Sequence, residues 1–345
     1  MAKTKKARSR KSRRKLRLAF VCGEGAATLL HLPGLLNIPN ADIVALTTLP
    51  GARLNANLEN LGIKHYENDY VRMIETEKPD AVYAIISPLS RYDVAATVLD
   101  MGCNLFVNKP PALTSEQIRQ LAILARKRNV LTGVVFYRRF SPMLREGVSL
   151  CIQKGPIHSA VATFYKNAVG RGPYSRGGID ALTSDAIHAV DTLRYLCGGE
   201  VESVASHVRR LGADYTNAHE ALVRFSTGAV GVILTNFMCG RRMFTVEAHS
   251  PGISFLGDIE ESGQIFADGQ IEPTRTFTPL PSDHDTSPYY EFKIPEITIL
   301  KAAWHTDVNR HFLDCIRKNK QPETHFGDAL KTMELVDAIY RSHID

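Results

Sequence analysis

The stretch CNLFVNKPP, residues 103–111, places Lys109 and two prolines directly after an apolar run that is typical of a β-strand. Proline has a fixed φ angle and no backbone N–H group, so two successive prolines end the strand and hold the preceding lysine on a stiff turn. In isolation, such a lysine is more often an ordinary surface residue, because short motifs produce many false positives. The segments around it decide whether it belongs to a functional site.

Apolar runs and helical stretches alternate through the first 140 residues. The runs lie at 16–22, 43–47, 81–87, 104–107 and 130–136, and the helical stretches lie at 26–36, 52–61, 92–101 and 115–128. Continuous apolar strands between helices predict a parallel sheet that is buried on both faces. The predicted fold class is therefore α/β, with an N-terminal doubly wound parallel sheet of the Rossmann type.

The pattern changes after about Pro142, where strand-like runs dominate. They lie at 157–165, 201–209, 218–225, 229–237 and 244–248, and a helix is predicted across 185–196. Few crossover helices separate these strands, so we expect a C-terminal α+β domain with a mainly antiparallel sheet. The predicted organisation is a basic disordered tail at 1–15, an NAD(P)-binding domain at 16–140, and a substrate and oligomerisation domain at 141–345. The last helix of the third part can pack back on the second.

The composition is typical of a soluble enzyme. The chain has 345 residues, of which 44 % are apolar, and this is enough for two domains with their own cores. No run of 18 apolar residues occurs, so we expect no membrane span. The six cysteines are scattered without a Cys-x-x-Cys pair or a His/Cys cluster, which favours buried thiols in a reducing, cytoplasmic compartment and no metal site.

The formal net charge of +6 comes from the N-terminus. Residues 1–17 hold ten Lys/Arg and no acid, which leaves the rest of the chain at −4. The tail could contact polyanions such as nucleic acid weakly, or direct the chain to the nucleus or to export, but a solvated extension is the preferred interpretation. Export is disfavoured because the apolar run at 16–22, which would serve as the signal, is also the first predicted strand. A dedicated nucleic-acid-binding domain is disfavoured because the folded part is net acidic.

A glycine turn, Gly23-Glu24-Gly25-Ala26, follows the first predicted strand and opens a helix. Glycines let the backbone approach a pyrophosphate, and a helix N-terminus supplies N–H groups to it. Thr28 stands where a third Gly or Ala is usual, so a tight strand-to-helix turn without a nucleotide is the alternative.

The end of the second predicted strand bears on the choice of cofactor. The strand ends at Thr47 and Thr48, and Arg53 follows. A carboxylate at this place binds the ribose 2′-hydroxyl of NAD, whereas a 2′-phosphate needs small polar groups and a cation. NADP is therefore favoured over NAD, with the alternative that Arg53 is only a surface charge.

Three ionisable residues, Asp185, His188 and Asp191, recur at three-residue spacing in the helix predicted for the second domain. This spacing predicts that they lie along one side of the helix. His188 can then face a substrate hydroxyl while an acid orients it. The alternatives are a structural histidine and an acid that only stabilises the first helical turn.

In order, these motifs resemble the Gfo/Idh/MocA family of NAD(P)-dependent oxidoreductases, which includes glucose-fructose oxidoreductase and inositol dehydrogenase, over almost the whole chain. The segments that carry the resemblance are Gly23-Glu24-Gly25 with His31-Leu32-Pro33, Ser87-Pro88, Asn108-Lys109-Pro110, Arg138-Arg139-Phe140-Ser141-Pro142, Gly177-Gly178 with the acid-and-histidine helix, and Gly327-Asp328-Ala329. The sequence departs from the family at Asn108, where Glu is usual, at Ser184, where the acid is usual, and at Leu89 and Tyr92.

The resemblance implies reversible hydride transfer between the nicotinamide and a carbinol or carbonyl carbon of a sugar, cyclitol or sugar derivative. The implied catalytic residues are Lys109, His188 and Asp185. The implied cofactor-binding residues are Gly23, Gly25, Ala26, Thr47, Thr48, Arg53, Ser87, Pro88, Asn108 and Lys109, and the implied substrate-binding residues are Arg139, Tyr165, Lys166, Asp185 and His188. A homo-oligomer, dimer or tetramer, is expected. The alternative is a catalytically silent NAD(P)-sensing protein of the same fold, which the departures at Asn108 and Ser184 favour.

Overall fold

The computed structural model describes residues 14–22, 31–32, 34–36, 38–52, 62–259, 262–267, 270–271 and 296–344. Some of the predicted features lie outside the described residues. They are the tail up to residue 13, the glycine turn with Gly23, Gly25 and Ala26, and Arg53. Within the described part, no helix has the length and apolar character needed to cross a bilayer. No group of three His, Cys, Asp or Glu side chains in this part has the geometry of a metal site.

The first sheet contains, among the described residues, six parallel strands in the order β3-β2-β1-β4-β5-β6. They are β1 (Leu16–Cys22), β2 (Ala41–Thr48), β3 (Lys64–Tyr66), β4 (Ala81–Ile85), β5 (Asn104–Val107) and β6 (Thr132–Val134). Every residue of β4 is buried, and the Tyr83 ring stacks on Phe20 with 4.9 Å between ring centroids. The predicted parallel sheet is confirmed, and its strand order reverses at β1, between β2 and β4.

The helices that follow these strands begin at polar caps. They are α1 (Tyr70–Glu77), α2 (Pro88–Asp100) and α3 (Ser115–Arg128). The side chains of Asp69, Ser87 and Thr114 each accept a hydrogen bond from a backbone N–H group of the first turn. Such caps satisfy donors that have no partner inside the helix, so these polar residues fix where each helix starts.

The second sheet has nine strands in the described part of the chain. They are β7 (Ser159–Asn167), β8 (Val201–Arg209), β9 (Ala218–Phe225), β10 (Val230–Asn236), β11 (Met238–Met243), β12 (Thr245–Ser250), β13 (Ile253–Asp258), β14 (Ser262–Ala267) and β15 (Gln270–Ile271). Their order is β15-β14-β13-β12-β7-β10-β9-β8, and β11 pairs with β7. The pairs are antiparallel except β7 with β10. The predicted mainly antiparallel sheet is confirmed.

Two helices, α4 (Pro142–Lys154) and α5 (Ile187–Cys197), pack against this sheet. The approach of α5 to β10 is close, because a Cβ atom added at Gly231 would lie 2.7 Å from the Leu193 side chain. His188 and Asp191 belong to α5 and are both buried. Helix α5, which carries His188 and Asp191, therefore packs closely on the second sheet.

The chain returns to the first sheet near its end. The last two helices are α6 (Glu296–Lys318) and α7 (Phe326–Arg341). Thr324, between them, bonds the backbone of Val134 in both directions, at 2.9 Å through its carbonyl and at 2.8 Å through its hydroxyl. Helix α7 then packs on both α3 and β8, so it contacts elements of both sheets.

Candidate active site

Several predicted cofactor residues follow the carboxyl ends of neighbouring strands. Thr47 and Thr48 end β2, Ser87 and Pro88 follow β4, and Asn108 follows β5. Parallel strands have their carboxyl ends at one edge of the sheet, and doubly wound folds bind ligands there, beside the strand where the order reverses. Both threonines are buried, and the Thr47 hydroxyl donates to the Thr48 carbonyl at 3.1 Å.

Lys109 reaches from this edge to the second domain. Asn108 stiffens the turn, because its Oδ1 accepts a hydrogen bond from the Lys109 backbone N–H at 2.9 Å, and the Lys109–Pro110 peptide bond is cis. The Lys109 Nζ donates to the Ser184 carbonyl at 2.7 Å and to Asp185 Oδ1 at 3.3 Å. The lysine and the aspartate predicted from distant segments therefore form one ion pair.

A second lysine binds the other oxygen of the same carboxylate. The Lys166 Nζ, on β7, lies 2.6 Å from Asp185 Oδ2 and donates to the Tyr174 hydroxyl at 2.9 Å. The Tyr174 hydroxyl in turn donates to Asp185 Oδ2 at 3.2 Å. These four residues, Lys109, Lys166, Tyr174 and Asp185, are called the lysine cluster below. Tyr174 was not predicted, since a tyrosine in a short 3₁₀ turn has no distinguishing spacing.

Burial and charge act in opposite directions inside the lysine cluster. Burial lowers the pKa of the Lys109 ammonium, and the Asp185 carboxylate partly opposes this effect. Burial alone would raise the pKa of Asp185, but Lys109 and Lys166 hold it well below its usual range. The cluster therefore combines a firmly ionised carboxylate with a lysine that gives up its proton more readily than a lysine in water.

His188 lies close to the lysine cluster in the interior. It is 2 % exposed, and its ring packs edge-on against Tyr137 with 4.9 Å between ring centroids. Burial, and then the positive charges of Lys109 and Arg138, lower the pKa of His188 well below its usual value. Its Nδ1 has no hydrogen-bond partner among the residues that the structure describes. The imidazole is therefore neutral at pH 7.

Two arginines add positive charge beside these groups. The Arg138 guanidinium lies 4.3 Å from the centre of the Phe244 ring, and the Arg242 guanidinium lies 5.1 Å from that of Phe164. Both contribute to lowering the pKa of Lys109 and of His188. Arg242 was missed by the sequence analysis because its strand, β11, was not predicted.

Arg139 occupies a different place from the one predicted for a substrate-binding residue. Its guanidinium makes two bonds to the Asp191 carboxylate, at 2.6 and 2.5 Å, and a third contact to Asp328 at 2.8 Å. The side chains of Arg139 and Asp191 are only 6 % and 2 % exposed. The structure corrects the prediction: the donors of Arg139 are occupied by interior carboxylates.

The same contacts correct the expectation that Asp185 and Asp191 share one side of a helix. Asp185 lies in a π-helical turn, Leu182–Ala186, that precedes α5, whereas Asp191 lies in α5 itself, so the two residues do not share one regular α-helix. Asp185 accordingly faces Lys109 and Lys166, whereas Asp191 faces Arg139.

Tyr165 is also displaced from its predicted role. Successive side chains of a strand point to opposite faces of the sheet, so Tyr165 lies on the face opposite to Lys166 and the lysine cluster. Burial raises the pKa of its phenol, and Cys239 and Glu220 raise it further by smaller amounts. The prediction that Tyr165 binds substrate together with Lys166 is corrected by this placement.

Comparison with known proteins identifies the family of this chain. The model of the oxidoreductase family with an NAD-binding Rossmann fold, GFO_IDH_MocA, matches residues 17–136, and the model of the GFO/IDH/MocA C-terminal domain matches residues 154–255. Together the two models cover more than half of the chain. The chain belongs to the Gfo/Idh/MocA oxidoreductase family.

Relatives in this oxidoreductase family match over most of their length. The chain is 25 % identical to scyllo-inositol 2-dehydrogenase (NAD(+)) of Bacillus subtilis, over 91 % of this chain and 90 % of that protein. It is 26 % identical to myo-inositol 2-dehydrogenase of Thermotoga maritima, over 79 % and 81 % of the two chains. The structure of an oxidoreductase from Agrobacterium radiobacter in complex with NAD+, L-tartaric acid and magnesium superposes with a TM-score of 0.79 at 14 % identity, over 95 % of this chain and 96 % of that chain. This last likeness concerns the fold.

Within this family member, a π-helical turn over Leu182–Ala186 precedes α5 and contains both Ser184 and Asp185. Such turns replace the regular i→i+4 bonding and are frequent at functional sites. Here Ser184 faces Lys109 through its carbonyl and Asp185 faces it through its carboxylate. An acid one position later than the family pattern therefore still contacts the lysine.

Proposed function

We propose that this protein is an NAD(P)-dependent dehydrogenase or reductase that acts on a CH–OH group of a sugar, cyclitol or sugar derivative. The observation that carries the proposal is the contact of Lys109, at the ligand-binding edge of the first sheet, with Asp185 of the second domain. The names of the relatives support the substrate class, since two of them are inositol dehydrogenases. A solved levoglucosan dehydrogenase in complex with NADH and L-sorbose shares the fold, with a TM-score of 0.78.

The described residues fit a dinucleotide. The edge where the strand order reverses carries Thr47 and Thr48, the Ser87–Pro88 start of α2, and Asn108 with Lys109. These residues would hold the ribose and nicotinamide parts, while the predicted pyrophosphate turn lies outside the described residues. When bound, the nicotinamide supplies or accepts the hydride.

The proton of the substrate hydroxyl is the part of the reaction that the protein handles. An alcohol carbon that loses a hydride must also release its hydroxyl proton, and a positioned base accelerates this step. Lys109 can accept the proton because burial lowers the pKa of its ammonium, and it can stabilise a developing alkoxide when it is protonated. The Ser184 carbonyl and the Asp185 carboxylate orient its Nζ. His188, neutral at pH 7, is the alternative base.

The substitution Lys109→Met tests this role, with Lys127→Met on the exposed side of α3 as the matched control. We expect Lys109→Met to retain cofactor affinity and to lower kcat with an inositol or sugar substrate by roughly a hundredfold, the lower end for a positioned acid or base. The control should keep the parent kcat. Turnover of Lys109→Met at the parent rate would refute the assignment.

The cofactor preference that we propose is NADP. It rests on Thr47 and Thr48, which offer no carboxylate at the end of β2, although the B. subtilis relative is named for NAD(+). Titration of the protein with NAD and NADP should give tighter binding of NADP. Thr47→Asp should reverse the order, because a carboxylate repels a 2′-phosphate and accepts a 2′-hydroxyl. Equal affinity for both cofactors would refute this preference.

The second candidate is a cofactor-sensing protein without turnover. It is favoured by Asn108, whose side chain bonds the Lys109 backbone at a position where the family has Glu. The two functions differ in one measurement: the sensing protein would bind a nicotinamide cofactor, yet would not reduce it in the presence of a panel of polyols and sugars.

Three further properties belong to this proposal. We propose a homo-oligomer, which sedimentation of the purified chain would reveal. We propose a cytoplasmic location, supported by the six cysteines, which are all among the described residues and form no disulfide there. We also propose weak, non-specific binding of polyanions by the basic tail, which should fall steeply with salt.

A further inference from the structure

A buried arginine lies directly behind the turn that carries Lys109. Arg91 belongs to α2 and is 1 % exposed, whereas Leu89, two residues earlier, is 54 % exposed. Arginine is rarely buried to this degree unless a carboxylate pairs with it. Burial lowers the pKa of Arg91 to about 9, and no carboxylate of the described residues opposes that effect. The position therefore carries a charge for which the described part of the chain offers no counter-ion.

The guanidinium of Arg91 joins two loops. One terminal nitrogen donates to the carbonyl of Ile86, immediately before Ser87, and the other donates to the carbonyl of Pro110, immediately after Lys109. The guanidinium is a planar fork whose donors have fixed directions, so it sets the spacing of two acceptors that it binds together. One side chain thus ties the loop after β4 to the loop after β5.

An apolar side chain of similar length could fill this interior position without desolvating a charge. It could not bind either carbonyl. What the arginine adds is therefore the bridge between the loops, and one end of this bridge is the carbonyl of Pro110, the residue that follows Lys109. The Nζ of Lys109, at the other end of the residue, is bound separately by the Ser184 carbonyl and the Asp185 carboxylate.

We propose that Arg91 is a positioning residue that holds the Lys109 turn against the Ser87 loop and so keeps the Lys109 Nζ on Asp185. The consequence for turnover rests on the function proposed above, but the consequence for the lysine itself does not. Loss of the bridge frees the turn, and water then reaches the Lys109 amine. The ammonium regains solvation, and its pKa rises towards the ordinary lysine value.

The test measures the lysine directly. The full-length parent, Arg91→Met and Arg91→Lys are acetylated with limiting acetic anhydride at a series of pH values, and the modification of Lys109 is quantified by mass spectrometry. In Arg91→Met we expect a midpoint shifted to higher pH and a labelling rate of the free amine raised by about tenfold, the scale of one lost charge-assisted hydrogen bond. Arg91→Lys, which retains a cation and one of the two bonds, should lie between. Arg128→Met, whose parent side chain is 42 % exposed and pairs with Asp100 on the surface, should match the parent.

The second readout is kinetic. In Arg91→Met, kcat should fall while the Kd of the cofactor changes little, and the acid limb of the pH–rate profile should move to higher pH together with the labelling midpoint. Unchanged labelling of Lys109 in a folded Arg91→Met or Arg91→Lys protein would overturn the proposal, whatever its activity. If the parent shows no dehydrogenase activity but the Arg91 variants still alter the labelling of Lys109, the result supports the bridge and counts only against the proposed function.

Discussion

The interior ion pair of Arg139 provides a quantitative prediction that separates structure from substrate binding. Arg139→Met removes a guanidinium that binds Asp191 twice and Asp328 once, at distances between 2.5 and 2.8 Å. It keeps an unbranched side chain that reaches about as far as the arginine Nε. Asp191, 2 % exposed, is left without its main cation, while Asp328 keeps Arg194 at 3.2 Å.

The expected loss follows from this burial. Removing one partner of a buried ion pair typically costs about 3–5 kcal/mol, because the remaining charge stays desolvated. The exposed pair of Arg128 and Asp100 is the matched control, and Arg128→Met should cost roughly 0–1 kcal/mol, as for other surface pairs. In the double variant Arg139→Met/Asp191→Leu the loss should shrink, since both charges of the pair are replaced by apolar groups.

The pH dependence has a definite sign. Burial raises the pKa of Asp191, Arg139 opposes this effect, and the negative charge of Asp328 adds to it. Without Arg139 the pKa of Asp191 rises further, so the folded state holds the proton at pH values where the unfolded state, with a pKa near 3.9, has lost it. Stability then decreases as pH rises through this window. The deficit of Arg139→Met relative to the parent should therefore be smaller at pH 5 than at pH 7.

Urea unfolding at both pH values measures the free energy of unfolding, and steady-state kinetics on the folded variant measures substrate binding. A deficit of about 3–5 kcal/mol at pH 7 with a nearly unchanged KM is the expected result. A loss below about 1 kcal/mol, the range of a surface pair, together with a greatly raised KM would refute the interior role and restore Arg139 as a substrate-binding residue.

Three further predictions concern the acid, the last helix and the tail. Asp185→Asn should lower the pKa of Lys109 further, because the carboxylate that opposes the effect of burial is lost. The acid limb of the pH–rate profile should therefore move to lower pH. A shift to higher pH would contradict the proposed effect of Asp185 on Lys109. Tyr340→Phe removes a 2.7 Å bond to Asp180 and should cost roughly 1–3 kcal/mol in urea unfolding, whereas an unchanged stability would show that this bond contributes nothing. Deletion of residues 2–13 should leave the melting temperature and cofactor affinity unchanged and abolish RNA binding; retention of RNA binding would place that activity in the folded part.

Much of the fold was predictable because its physical cause is local. The buried strands β1, β4 and β5 are continuous apolar runs between helical stretches, and a parallel sheet is the arrangement that buries both faces of such strands. The turn at Lys109 was predictable for the same reason, since two prolines end a strand wherever they occur. The resemblance implied both Lys109 and Asp185 as catalytic residues, and the structure brings their side chains into contact; their catalytic role stays a prediction.

The corrected residues show where sequence reasoning fails. Arg139 and Tyr165 have the chemistry of substrate-binding residues, and both lie next to residues that do face the cluster. The Arg139 side chain pairs with Asp191 in the interior. The Tyr165 side chain points to the opposite face of the sheet because successive residues of a strand alternate. Composition identifies a donor, but only the direction of the side chain decides what the donor binds.

Arg91 belongs to no sequence motif, yet its side chain joins the two loops that follow β4 and β5. Its spacing of three and four residues from Val94 and Ala95 places it on the buried face of α2, but nothing in that pattern indicates that its guanidinium joins two loops. The bridge exists because β4 and β5 are adjacent in the sheet, so that the loops after them lie within the reach of one arginine. Adjacency of strands is a property of the topology. In a site built from the ends of parallel strands, the sequence therefore predicts the residues at which the strands end. It predicts much less well the side chains, such as Arg91, that join the loops after those strands.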